Sequence, residues 1–202
     1  VTLRRTYWFK AAAVIGSTFW LNALQAIASQ SVPFPQLQQD LVSLQRSGLI
    51  HERAFVPDLG MEYAFDSSLI REVAYESLLS TQRVAYHLQV AEYLEDIVFR
   101  EGKKLYFNTL AHHYRLAGDT KRELFYTLQA AERAQSIYAN TEALHYYTRA
   151  VELLNTLETQ VLNGYQKYAI LTQKFEALNG RRAVNYLMGN IEAGVADARA
   201  LL

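Results

Sequence analysis

Over most of this chain apolar positions recur at spacings of three and four, the signature of helices that bury one face. A helix is expected from about Leu3 to Val14, ended by Gly16, and a second over Trp20–Ala28. Pro33 and Pro35 then punctuate the chain. Pro35 suits the first turn of a third helix, where Leu37, Leu41 and Leu44 form an apolar stripe that Gly48 closes. After Gly48 the period changes. Leu49–Val56 and Met61–Phe65 alternate loosely on either side of Pro57-Asp58-Leu59-Gly60, which predicts a β-hairpin.

Three helices followed by a two-stranded hairpin is the order of a winged-helix domain, expected for residues 1–66. From Asp66 onward the pattern predicts helices alone. The first, capped by Asp66 or a following serine, runs through Leu69, Val73 and Leu78. Another covers Thr81–Phe99 with Val84, Leu88, Ala91 and Leu94 on one face. Further helices are expected over 104–117, 120–138, 140–156 and 160–178, with a broken pair through 181–202. Gly118-Asp119 and Ala139-Asn140 read as pairs in which one residue stops a helix and the next caps its successor.

Ala131 and Ala134 on one helix, with Ala143, Tyr147 and Ala150 on the next, fit the small-large-small spacing of a tetratricopeptide repeat. Small residues let paired helices touch, and the aromatic ring plugs the neighbouring gap. Leu110, Ala111 and Tyr114 echo it upstream; Gly189-Asn190 with Ala193 and Ala200 echo it downstream. The interval from Ala143 to Ala193 departs from the roughly 34-residue period of such repeats, so the array is degenerate. The expected fold is mainly α: a winged-helix domain over 1–66, then a tetratricopeptide-like helical array over 67–202, truncated at its C-terminal end. Val195, Ala198 and Leu202 would then form the exposed apolar side of the last helix.

Composition narrows the function. Twenty basic and twenty acidic side chains cancel, which excludes nucleic-acid binding through bulk positive charge. With no cysteine there is no disulfide scaffold, thiolate metal site or cysteine nucleophile, as suits a cytoplasmic protein. Arg4-Arg5 before the apolar run Ala11–Leu21 superficially resembles a secretory leader, but Lys10 abuts that run and Asn22 ends it. The run is also shorter than the roughly 18 residues a membrane span needs, so no membrane partner is expected. The start at Val1 and the end on Ala200-Leu201-Leu202 predict a piece of a longer protein.

The sequence holds no Gly-rich phosphate loop followed by Lys-Ser/Thr, no GxSxG and no HExxH. No cofactor or catalytic residue is therefore expected. His112-His113 are neighbours whose rings point about 100° apart on a helix, a poor chelate, so one packed and one solvated ring is expected. His87 reads as a hydrogen-bonded structural residue, and Glu92, Glu95 and Asp96 as a solvated face. Of Tyr146-Tyr147, Tyr147 should be the buried one.

Lys10-Ala11-Ala12-Ala13-Val14-Ile15-Gly16 with Phe19, and above all Tyr63-Ala64-Phe65 through Leu69-Ile70-Arg71-Glu72-Val73-Ala74-Tyr75-Glu76-Ser77-Leu78-Leu79, carry a family resemblance. Arg83, His87, Ala91, Leu94 and Glu95 continue it, followed by Ala111-His112-His113-Tyr114 and Ala117-Gly118-Asp119. Nearly the whole chain resembles the region after the ATPase core in large bacterial STAND-type signalling ATPases. Those proteins combine that core with a class III adenylate or guanylate cyclase, or a helix-turn-helix regulator, and tetratricopeptide repeats. The family usually has histidine two places after the phenylalanine, where this chain has Ser67, so no role of that histidine carries over.

The resemblance implies a non-catalytic regulatory segment. Its partners would be the upstream nucleotide-binding domain and a peptide or protein on the repeat face, where Leu128, Glu132, Gln135 and Ser136 are the expected contacts. The competing reading is a DNA-binding regulator. It is weak: residues 1–66 balance Arg4, Arg5, Lys10, Arg46 and Arg53 against Asp40, Glu52, Asp58, Glu62 and Asp66. The segment Gln36–Ser47 offers a single cation, Arg46, for phosphates or bases.

Overall fold

The computed structural model describes residues 2–28, 33–102, 104–161 and 163–201. Among them are ten α-helices and a three-stranded antiparallel sheet, so the chain is mainly α. No helix among the described residues is long and apolar enough to cross a membrane. Two compact units divide it: Val1–Lys103 with Leu116–Gly118, and Lys104–Arg115 with Asp119–Leu202.

The first unit runs α1 (Thr2–Ile15), β1 (Thr18–Trp20), α2 (Leu21–Ala28), α3 (Phe34–Arg46), β2 (Ile50–Val56), β3 (Gly60–Phe65), α4 (Ser68–Glu76) and α5 (Ser80–Glu101). The expected hairpin is β2–β3. Strand β1 was not expected; it has three residues, and its partners, Thr18 against Ala64 through Trp20 against Glu62, are far away in sequence. The sheet order is β1-β3-β2. Leu37, Leu41 and Leu44 of α3 are buried as their spacing requires, alongside Trp8, Phe19, Leu24, Ile50 and Leu59. The turn between β2 and β3 is tied to α2, because the Asn22 N–H donates to Leu59 O at 3.1 Å and Asn22 Nδ2 to Asp58 O at 3.1 Å.

Helices α4 and α5 pack on α1, and α5 also on α2, so this compact unit extends well beyond residue 66. Ser67 is the cap of α4, its Oγ accepting from the Leu69 N–H at 3.2 Å. The expected stripes of these two helices form in part: Leu78, Ala91 and Leu94 are buried as their spacing predicts. Leu69, Val73 and Val84 are exposed, while Ala74, Tyr86, His87, Val90, Ala91, Leu94 and Ile97 face inward. Buried His87 meets the Tyr75 hydroxyl at 3.1 Å, and the Arg83 guanidinium lies 4.6 Å from the centre of the Tyr75 ring.

Tyr63 stacks on Phe19 with ring centres 5.5 Å apart, and its hydroxyl donates to Glu52 Oε1 at 3.4 Å. Burial, then the neighbouring Glu52 charge and hydrogen bond, push this phenol from 10.0 up to about 12. The fold therefore favours the neutral ring. That contribution is fully present below the unfolded value of 10.0 and is lost as pH climbs through about 12. We expect Tyr63→Phe to lose less stability than the parent over that interval, measured as urea midpoints against pH. Equal slopes would contradict it.

The second unit holds a 3₁₀ turn (Lys104–Tyr106), α6 (Phe107–Ala117), α7 (Thr120–Ser136), α8 (Asn140–Gln160), α9 (Gly164–Leu187) and α10 (Ile191–Arg199). Successive helices from α7 onward pack on one another, and α7 also reaches α9. Their shared core contains Leu124, Ala131, Ala134, Ala143, Tyr147, Ala150, Leu154, Ala177, Leu178 and Val184. The small-large-small positions of α7 and α8 thus all point inward. Upstream, buried Tyr114 stacks on Tyr126 with ring centres 5.6 Å apart.

Three expectations need correction here. Helix α9 is continuous where a break near 180 was expected, because Gly180 is a packing notch: a Cβ there would lie 2.6 Å from Tyr147 Cε1. On α10, Gly194 and Asp197 face inward while Ala193 and Ala200 are exposed. Asn140 does not cap α8 through its side chain; the chain leaves α7 through Tyr138, whose φ of 58° is left-handed. Of the expected last-helix apolar positions, Val195 is exposed and Ala198 half-buried, while Leu202 lies outside the described residues.

A left-handed non-glycine residue costs about 1–2 kcal/mol, and the Tyr138 side chain is 80% exposed, with little packing to offset it. Tyr138→Gly should therefore raise stability by about 0.5–1 kcal/mol after the greater freedom of glycine in the unfolded chain is counted. A fall in the denaturation midpoint would show that Tyr138 packs more usefully than its exposure indicates.

Candidate interaction groove

Helices α6 and α8 both flank α7, and the polar residues they present to each other enclose two cavities over its surface. One, of about 150 Å³, is lined by Asn108, Ala111, His112, Arg115, Glu123, Thr127, His145, Tyr146 and Arg149. The other, of about 110 Å³, is lined by Lys104, Phe107, Asn108, Ala130, Arg133, Ala134, Glu142 and Tyr146. Asn108 and Tyr146 line both, so the cavities form one groove with a waist. Its floor on α7 is Glu123, Thr127, Ala130 and Ala134, spaced by four, three and four on a single helix face.

Buried Glu123 anchors one end. Its Oε1 accepts from Arg149 Nε at 2.9 Å and Nη2 at 2.8 Å, while Arg149 Nη1 reaches Glu152 Oε2 at 3.2 Å. Burial opposes the Arg149 charge, but the hydrogen bonds it donates to Glu123 and Glu152, with their charges, outweigh it and hold the guanidinium above its ordinary value. At the waist, burial and the charge of Glu142 push the Tyr146 hydroxyl up, against a hydrogen bond shared with Asn108. Tyr146 is therefore a neutral hydroxyl at ordinary pH, able to donate or accept. His112 is exposed, and Arg115 Nη2 lies 3.3 Å from its Nδ1.

The residues singled out from sequence fall off this floor. Leu128 packs against the core, and Gln135 accepts from the Tyr147 hydroxyl at 2.7 Å. Glu132 is exposed and accepts from Gln129 Nε2 at 3.4 Å; Ser136 Oγ donates to Arg133 O at 2.7 Å. Leu128 and Gln135 each follow a floor residue by one position, and one residue rotates the direction by about 100°. Asn108, Arg115, Arg133 and Tyr146 were missed. The available signal was the polar flank of the two helices beside the alanine-rich α7.

His113 is buried and His112 is not, and no group of histidines and carboxylates among the described residues could hold a metal ion. Arg46 sits exposed in the last turn of α3, the only basic side chain of that helix. Comparison of the chain with protein-family models, curated proteins and solved structures returned no match.

Proposed function

We propose that this chain is a non-catalytic regulatory segment that recognises a protein partner, built from a winged-helix module and a degenerate tetratricopeptide-like array. The groove between α6 and α8 carries this reading: a polar trough with an alanine-lined floor suits the backbone of a bound segment. Further support comes from the first unit, where the element order and the sheet order β1-β3-β2 suit a winged helix. The interlocking alanines and Tyr147 of α7 and α8 suit a tetratricopeptide pair. With the sequence resemblance, these features support a segment of a bacterial signalling ATPase of the STAND type, cytoplasmic and linked to cyclic-nucleotide synthesis or transcription. The winged helix would then pack on the preceding nucleotide-binding domain.

The test is selection of random peptides displayed on phage against the 202-residue chain. Asn108 is exposed at the waist, so Asn108→Trp obstructs the groove without entering the core. The parent should enrich peptides whose affinity Asn108→Trp lowers about tenfold or more, a loss of about 1.4 kcal/mol, with an unchanged circular dichroism spectrum. No enrichment, or equal binding by the variant, would overturn the reading. DNA binding predicts the opposite behaviour: anisotropy of mixed-sequence duplexes at low salt would rise, and Arg46→Glu would abolish the rise. We expect a flat titration.

A further inference from the structure

The charges of the groove are unbalanced, and they point to the chemistry of its occupant. Its lining residues include four cations, Lys104, Arg115, Arg133 and Arg149, against two carboxylates, Glu123 and Glu142. Arg149 is already neutralised by Glu123 and Glu152. Lys104, Arg115 and Arg133 have no carboxylate within ion-pair distance among the described residues, and the neighbour of Arg115 is an imidazole. Free cations therefore stand at both ends of the trough, on either side of the Asn108–Tyr146 waist.

The shape adds a second constraint. Two cavities in line suit an elongated ligand better than a compact one. At about 1.5 Å per residue, Glu123 and Arg133, which line opposite ends of the trough, are about 15 Å apart along α7, the span of about four to five residues of extended chain at ~3.3 Å each. The Asn108 amide offers both a donor and an acceptor, the pair that a peptide backbone needs, and the Tyr146 hydroxyl can do the same.

We infer that the groove accepts an extended acidic peptide whose carboxylates, about four to five residues apart, reach Arg115 at one end and Arg133 with Lys104 at the other. This inference rests on the interaction reading above and names its partner class. Partner binding would be salt-sensitive, because exposed charge pairs are screened over about 8–10 Å at physiological ionic strength.

Peptides from the phage selection provide the test, with affinities measured by fluorescence anisotropy on the full chain. The selected sequences should be rich in aspartate and glutamate. Arg115→Glu and Arg133→Glu should each weaken them about tenfold with unchanged circular dichroism, as expected for loss of a charge-assisted hydrogen bond. Glutamine-for-glutamate versions of the same peptides should lose comparable affinity on the unaltered chain, a readout that needs no variant to fold. Neutral or basic selected peptides that Asn108→Trp still excludes would overturn the acidic class and leave the groove standing. Acidic peptides indifferent to both charge reversals and to glutamine replacement would also overturn it. Peptides indifferent to Asn108→Trp would instead remove the groove reading itself.

Discussion

Tyr147→Ala will destabilise the second unit by about 3–5 kcal/mol, the range for removing a large buried aromatic. The ring is only 5% exposed and lies among Ala131, Ala134, Ala143, Ala150 and Ala177, none of which can grow to fill the space. Its hydroxyl donates to Gln135 Oε1 at 2.7 Å, and the hydroxyl end of the ring packs against Gly180. Two milder variants separate these contributions. Tyr147→Phe should cost only about 1 kcal/mol, the net worth of one hydrogen bond. Gly180→Ala should cost more than a helix-favouring change normally would, because the new Cβ would lie 2.7 Å from the Tyr147 hydroxyl oxygen and the ring must move. Urea denaturation followed by far-ultraviolet circular dichroism reads all three. A Gly180→Ala protein more stable than the parent would show that the notch is not tight.

Asp197→Ala is the second large effect, at about 2–3 kcal/mol. Asp197 is 4% exposed, and its carboxylate accepts from Arg181 Nε at 3.1 Å, from Arg181 Nη2 at 2.5 Å and from Asn185 Nδ2 at 3.2 Å. Removing it strands a guanidinium whose side chain is 21% exposed and an amide that is buried. Stranding a fully buried charge costs about 3–5 kcal/mol, and the residual solvent at Arg181 reduces that. The paired change Asp197→Leu with Arg181→Met should recover much of the loss, since apolar groups of similar size need no partner. If the single variant unfolds at the parental midpoint, α10 is not held to α9 by this pair.

How far the sequence alone led depends on whether the controlling interaction was local. The stripe Leu37–Leu41–Leu44, the Ser67 cap, and the alternation around Pro57–Gly60 are each governed by residues a few positions apart, and they formed where the pattern put them. Strand β1 depends on a partner strand more than forty positions away, and nothing within Thr18–Trp20 announces it. The break expected between 178 and 181 does not form, and the reason Gly180 is glycine, the Tyr147 ring, belongs to another helix. Leu69 and Val73 show the reverse error: their spacing marks an apolar face, but that face is exposed beside Phe9 and Ile70. The groove was illegible because it is shaped by three helices together. Only its alanine-rich floor left a trace: of the expected contacts, Leu128 and Gln135 each follow a floor residue by one position, about 100° round the helix.

A peptide bound in the groove protects the amides of the helices that line it. Amide hydrogen exchange of the full chain, with and without a phage-selected peptide, measures this without any substitution. Slower exchange confined to α6, α7 and the first half of α8, with α9, α10 and the β-sheet unchanged, is the predicted result. Protection centred instead on the exposed aromatics of α9, such as Tyr165, Tyr168 and Phe175, or on α3, would contradict it.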